Sequence, residues 1–383
     1  MKMAQHPPSA RAVAAISDLL DNCAQLRRGQ RVIIAAALDG LFGGTNLVEE
    51  RVVDWLHAGV AARGGHSTII WTEVNAKQGS LRVPPIIKAA LKEADVLINH
   101  IFDMPMEELL ELRAVLADTG VTMVRNMATT APLLASDWAQ MPHELVSKIR
   151  SLASQMIEPG AAWVVEHPNG TQMKGIAGPP KGHFSTYDQP RSEYRPFPEG
   201  VFPPIQITET AGRLVFDRTL SWWSRFVGLP ARFQQPIELT VENSHIQNFQ
   251  GGEEAKILER FVSELAKRVG KDAYRIAAYH GGVHPNASVG AHQCADANYR
   301  EFIEHHHSGS SHFHIGSAAC DPTYPYFLHL TAELRGATFQ VGGNDVYKNG
   351  HLAALDDPTV IALAKTYGSD LRACPEDWVW VKQ

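Results

Sequence analysis

Arg31-Val32-Ile33-Ile34-Ala35-Ala36-Ala37 is a short apolar run that follows Gly29, and the residues after it decide the fold. From Leu47 to Ala62 apolar residues recur at helical spacing (Leu47, Val52, Val53, Leu56, Val60), and the stretch ends at Gly64-Gly65, where positive φ carries no Cβ penalty. A strand, a helix and a stop are thus legible in order. The pattern repeats with His66 to Trp71 as strand, Pro84 to Ala94 as helix, Ala94 to Ile101 as strand, Met106 to Ala117 as helix and Val121 to Ala128 as strand. Such alternation predicts parallel strands joined by right-handed crossovers, a doubly wound sheet. No G-x-G-x-x-G follows the first strand, so a dinucleotide fingerprint is missing, and Gly40, Gly43 and Gly44 read as an ordinary loop.

A long helical stretch is expected from Thr130 to Gln155, then a hairpin in which Asn169-Gly170 joins two alternating runs, both central positions taking positive φ. Residues 178–204 (GPPKGHFSTYDQPRSEYRPFPEGVFPP) are rich in proline, glycine and polar residues and mark a linker or long functional loop. Beyond it, Gly212 to Phe216, Pro236 to Glu242, Tyr274 to Tyr279, His312 to Ala319, Tyr326 to Leu334 and Ala337 to Val341 read as strands. Gly251 to Val269 and Asp357 to Tyr367 read as helices. The chain of 383 residues is therefore expected to be α/β in two domains. Residues 1–185 form an N-terminal doubly wound parallel-sheet domain, and residues 186–383 a mixed α+β C-terminal domain that carries the chemistry.

Lys+Arg 35 against Asp+Glu 41 gives a net charge of −6, which supplies no general field for phosphates and argues against a nucleic-acid partner. Cys23, Cys294, Cys320 and Cys374 are scattered without CxxC spacing, which predicts reduced thiols and a cytoplasmic setting rather than a disulfide framework. The N-terminal residues have no apolar h-region and no run approaches a membrane span, so no membrane association is expected. G-x-S-x-G, H-E-x-x-H and P-loop motifs are absent.

The main chemical signal is histidine: of 18 in the chain, eight lie between His280 and His314. Imidazole is both a common transition-metal ligand and a proton carrier near neutral pH. In His312-Phe313-His314 the two rings share one face of a strand, as do His329, Thr331 and Glu333, while His280 ends a strand just before Gly281-Gly282. Two or three histidines and one glutamate on strand ends are of the type found in 2-His-1-carboxylate iron sites. The plainer alternatives are a polar surface loop for His305-His306-His307, an edge carboxylate for Glu333, an inert thiol for Cys320, and core packing for Trp222, Trp223 and Phe226.

The segments FPEGVFPPIQITETAGRLVFDRTL (197–220), PIELTVENSHIQNFQGGEEAKILERF (236–261), RIAAYHGGVHPNA (275–287), HFHIGSA (312–318) and LRGATFQVGGNDVYKNG (334–350) occur in an order that resembles the thermophilic-type metallo-aminopeptidases, the aminopeptidase T and S group. They are also similar to 2,5-dihydroxypyridine 5,6-dioxygenases, iron enzymes of the same fold. The resemblance implies a homodimer. Its metal ligands transfer incompletely: the peptidase glutamate position is Val201 here, with Glu199 two residues earlier, a second ligand falls at Ala278, and the closing His-x-Asp pair falls at Gly336 and Thr338. The strand histidine is retained as His314. A rebuilt single-metal site is the economical expectation.

The first functional reading is therefore a mononuclear non-haem iron dioxygenase that takes O2 and a small hydroxylated aromatic or heteroaromatic ring. His280, His314 and Glu333 would bind Fe(II), with Zn or Mn as alternatives, and His284, His306 and His312 would serve as acid, base or substrate-binding groups. Arg191, Tyr194 and Arg195 are candidates to clamp a substrate carboxylate. A metallo-aminopeptidase or amidase with an altered metal site is the competing enzyme, and a metal-free enzyme or binding protein using the same cleft is the third reading.

Overall fold

The computed structural model describes residues 7–38, 47–72, 85–100, 116, 118–180, 194–202, 204–220, 228–316 and 330–371. The chain divides into two compact units. One comprises Met1–Val146, His183–Glu199 and Ala291–Ala295, and the other Ser147–Gly182, Gly200–Gly290 and Asp296–Gln383. The expected boundary at 185/186 lies outside the described residues, as does the expected helix over 106–117 apart from Leu116.

The first unit holds a five-stranded sheet of β1 (Arg31–Ala37), β2 (His66–Thr72), β3 (Val96–His100), β4 (Thr122–Asn126) and β7 (Tyr194–Phe197). Between β4 and β7 in the chain come β5 (Ala162–Glu166) and β6 (Gln172–Pro180), which belong to the second unit. The order β2-β1-β3-β4-β7 is parallel throughout. Burial on both faces explains why β1 from Val32 onward and the first three residues of β3 are unbroken apolar runs. The helix after β1 spans Glu50–Ala62 and buries Val52, Val53, Leu56 and Val60, the residues that gave the helical period.

The single helix expected over 130–155 is instead three, Ala131–Leu134, Asp137–Gln140 and His143–Gln155. The Ser136 hydroxyl accepts from the Ala139 amide and starts the second helix. Met141 is then forced into an extended conformation (φ −71°, ψ 123°) by the proline that follows it. Apolar period alone did not register these two punctuations.

The second unit adds to β5 and β6 the strands β8 (Ile205–Arg218), β9 (Arg232–Glu242), β10 (His245–Gln250), β11 (Ile276–Gly281), β12 (Ser310–Ile315), β13 (Leu330–Arg335), β14 (Thr338–Val341), β15 (Asn344–Lys348) and β16 (His351–Leu352). They form an antiparallel sheet ordered β13-β12-β11-β8-β6-β5-β14-β15-β16, with β9 paired to β8 and β10 to β9. The expected β5–β6 hairpin is present, but of its central pair only Gly170 has positive φ, at 101°. Gly170 N donates to His167 O at 3.0 Å, and the Asn169 side chain instead donates to Val215 O at 2.6 Å. A tight turn closed by a left-handed glycine replaces the symmetric two-residue turn. The long β8 pairs with β6, β9 and β11, and at Gly212 (φ 136°) a Cβ would overlap the Gln172 carbonyl oxygen, so only glycine fits that crossing. The sheet curls: Leu220 N just past β8 donates to Thr331 Oγ1 on the edge strand β13 at 3.0 Å. One face of β11 and β12 packs Tyr279 and Phe313 with ring centroids 4.9 Å apart, and Phe339 lies 4.5 Å from Tyr279. Among the described residues no helix is long and apolar enough to cross a membrane.

One buried group in the first unit sets a pH dependence. His100 ends β3 at 1% exposure, and burial pushes its imidazole down to about 3. The Asn126 amide NH2 lies 3.2 Å from His100 Nε2 while Asn126 Oδ1 accepts from Ala128 N, which places the ring proton on Nδ1. The folded chain thus keeps His100 neutral where the unfolded chain protonates it, so stability falls as pH drops below about 6.5, by about 1.4 kcal/mol per pH unit, until the folded pKa is reached. Urea unfolding at pH 7, 6 and 5 should show this loss in the wild type and a shallower slope in His100→Gln.

Candidate metal centre

Three adjacent strands set the site by register. His280 on β11 pairs with His312 on β12, and His312 pairs with Glu333 on β13, so these side chains form one row across the sheet. The next row on the same face, two residues along, is Ala278, His314 and Thr331. Tyr279 and Phe313 take the opposite, apolar face, which is why alternation in YHG and HFH sorts imidazoles from core aromatics.

A fourth element closes over this row. The helix Ala297–Glu304 starts at Asp296, whose side chain accepts from Tyr299 N, and ends on His305 as C-cap. The His305 ring lies against His312 with centroids 4.1 Å apart. One ring nitrogen each of His280, His305 and His312 falls within 4.8 Å of the other two, and all three residues are buried. Among the described residues this is the group of histidine, cysteine or acidic side chains able to hold a metal ion. Phe202 walls His280 edge-on at 5.9 Å.

Hydrogen bonds fix which ring nitrogens are available. His305 Nδ1 lies 3.1 Å from Glu333 Oε2, so in the neutral ring it donates there and leaves the Nε2 lone pair for another partner. His306 Nδ1 donates to Phe302 O at 2.8 Å, so its Nε2 carries no proton in the neutral form. His284 Nδ1 and His307 Nδ1 accept from Asn286 N and Gly309 N, each at 3.0 Å, and their protons therefore sit on Nε2. His312 Nε2 and His314 Nε2 are 3.0 Å apart and must share a proton between two lone pairs.

Charges surround the imidazoles without entering their group. Glu333 and Glu304 have fully buried side chains, and Arg335 Nη2 reaches Glu304 Oε2 at 3.3 Å. Burial lowers the Arg335 guanidinium to about 9, opposed by Glu304 and Glu333, and at neutral pH it remains charged. Among the described residues Glu333 Oε1 is buried and has no hydrogen-bond donor.

The structure brings together His280, His312 and His314 as the strand pattern suggested, with His314 half-buried and beside the group rather than in it. Glu333 faces His305, and His284 and His306 are buried nearby in the chain's second unit. His305 belongs to the run for which the sequence offers a polar surface loop as the plainer alternative. In fact His305, His306 and His307 are 4%, 6% and 9% exposed, because His284 and His307 bridge in parallel and His284 N donates to His306 O. The available signal was the amphipathic helix that ends at Glu304, which a polar surface turn does not need. Ala278 pairs with His314, Val201 bridges Gly282, and Gly336 sits in the turn after β13 with φ 78°. His329, Cys320, Trp222, Trp223, Phe226, Arg191 and the Tyr194 side chain lie outside the described residues. Arg195 donates to the Cys23 carbonyl at 2.7 Å and tethers backbone in the first unit.

Residues 59–354, well over half of the chain, match the profile of the 2,5-dihydroxypyridine 5,6-dioxygenase (NicX) family. The class is thereby that of ring-cleaving dioxygenases. Within it, the chain belongs to the 2,5-dihydroxypyridine 5,6-dioxygenase family. Its fold is similar to the structure of 2,5-dihydroxypyridine dioxygenase from Pseudomonas putida KT2440, with TM-score 0.65 at 14% identity, over 91% of this chain and 99% of that one. Wild-type AmpT from Thermus thermophilus gives TM-score 0.48 at 10% identity over 90% of this chain and 99% of that one. No curated protein matches the sequence.

The histidine cluster depends on close backbone approach. A Cβ on Gly282 would overlap the His307 carbonyl oxygen, and one on Gly200 would overlap the His306 ring. Gly282→Ala should therefore cost about 3 kcal/mol, since the obstacle is backbone that has little room to move. Chemical denaturation of the variant against wild type checks this.

Proposed function

We propose that the protein is a mononuclear, metal-dependent ring-cleaving dioxygenase whose divalent ion, iron(II) in preference to zinc or manganese, is held by His280, His305 and His312. The substrates in this reading are O2 and a hydroxylated aromatic or heteroaromatic ring of the dihydroxypyridine type. The observation that carries it is the convergence of three buried imidazole nitrogens within 4.8 Å in a member of a dioxygenase family.

The residues suit such an ion. Three neutral imidazoles form a donor set that leaves coordination positions open, and imidazole suits iron as well as zinc. The unsatisfied, buried Glu333 Oε1 adds negative charge that a cation nearby would offset. When bound, the ion would supply Lewis acidity toward a ring hydroxyl and one-electron chemistry toward O2.

The chain's own groups would handle protons and orientation. His306, unprotonated at Nε2, is suited to accept the proton of a ring hydroxyl, and His284 and His307, protonated at Nε2, are suited to donate to an anionic oxygen. Phe202, Phe302 and the buried β-strands exclude water from the imidazoles, which strengthens each of these bonds. In this reading the His312 Nε2–H donates to His314 Nε2 across their 3.0 Å separation, so His314 holds the tautomer that leaves the other ring nitrogen of His312 for the ion.

Freshly purified protein should contain about one equivalent of iron or take it up on addition, and should consume O2 with 2,5-dihydroxypyridine. His280→Ala and His312→Ala should each weaken metal binding by more than the roughly 100-fold typical of losing an outer-shell partner. Full O2 consumption after exhaustive chelation would overturn the reading, and chelator-sensitive cleavage of leucyl anilides without O2 uptake would replace it with a hydrolase.

A further inference from the structure

Glu333 would be the natural carboxylate of a two-histidine, one-carboxylate site, and the geometry points elsewhere. We propose that Glu333 is a positioning residue that acts through His305, so that the metal meets three neutral imidazoles and no carboxylate. The proposal rests on the metal centre described under the proposed function and concerns how that centre is built.

Four observations carry it. Glu333 Oε2 lies 3.1 Å from His305 Nδ1, and a neutral imidazole that donates from Nδ1 has its one lone pair at Nε2. The hydrogen bond therefore selects the tautomer that can ligate. Second, the nitrogens of His280, His305 and His312 lie within 4.8 Å of one another, and no oxygen of Glu333 completes that group. Third, a neighbouring ion pair fixes the helix end that carries His305. Arg335 stands two residues along the same strand, on the same face, and its guanidinium reaches Glu304, the residue next to His305. Glu333 and Arg335 on β13 thus face His305 and Glu304 at the helix end, two polar pairs that lock one short helix onto one strand. Fourth, the Glu333 side chain is fully buried, so water does not compete for it or screen its charge.

The physical consequence is a division of labour. A carboxylate that ligates directly would cancel one unit of the ion's charge at the metal. A carboxylate behind an imidazole instead raises the basicity of that ligand and fixes its ring orientation, while the centre itself keeps the full charge of the ion for anionic substrate oxygens.

The experiment uses metal-free full-length protein titrated with Co(II), read by its visible absorption and by competition with a chromophoric chelator. Wild type, Glu333→Gln, Glu333→Ala and His305→Ala are compared, with thermal melts of the metal-free forms to confirm folding. Glu333→Gln keeps an oxygen that accepts from His305 and should lose about 10-fold in Co(II) affinity, and Glu333→Ala up to about 100-fold. Both should keep the wild-type Co(II) band positions and intensities, because the ligand set is unchanged, whereas His305→Ala should alter them. Band changes in Glu333→Gln that match those of His305→Ala would overturn the proposal in favour of direct ligation. Unchanged affinity in both Glu333 variants would overturn it in favour of a purely structural carboxylate. Failure of wild type to bind Co(II) would be a distinct result, removing the metal centre and with it any role for Glu333 there.

Discussion

The arrangement depends on one antiparallel register. Pairing His280 with His312 and His312 with Glu333 puts three polar side chains in a line across β11, β12 and β13. A slip of one residue in any of these strands would send its imidazole to the face occupied by Tyr279 and Phe313 and bring an aromatic ring into the polar cluster. The aromatic face supports the polar one: Tyr279, Phe313, Phe339 and Trp163 are buried against one another, and a one-residue slip would remove Tyr279 or Phe313 from that packing. Burial on one side of the sheet fixes chemistry on the other.

The cluster is also an electrostatic compromise. Glu304, Glu333 and Arg335 are charged groups taken out of water, which is costly unless each faces a compensating group. Arg335 pairs with Glu304, and His305 donates to Glu333. The remaining negative character lies beside neutral imidazoles rather than beside apolar side chains. Buried polar networks of this kind are stable only while each member keeps its partner.

Much of this was legible in the amino-acid sequence, and the parts that were not have identifiable causes. Alternation gave β1 to β4 and their parallel arrangement, because buried parallel strands write themselves as apolar runs separated by helical periods. The period of two in His312-Phe313-His314 gave a shared face correctly, since it is a local property of one strand. The breaks at Ser136 and Met141 escaped because a cap and a pre-proline residue override a continuous apolar period. His305 escaped for a different reason: a run of three histidines before Ser-Gly-Ser-Ser looks solvated, and only the return of His284 against His307 shows that it is covered. Which imidazole faces which carboxylate is a tertiary fact, set by where a helix end meets an edge strand. No spacing along the chain encodes it.

Glu304 and His305 are consecutive residues at the end of a helix of eight residues, and each answers to a different partner on β13. A helix turns by about 100° per residue. One codon gained or lost anywhere between Asp296 and Glu304 would therefore swing both side chains away from their partners together. This stretch should tolerate conservative point changes on its outer surface far better than it tolerates any change in length, and gene variants with indels there should separate sharply from the rest of the helix's substitutions in a deep mutational scan.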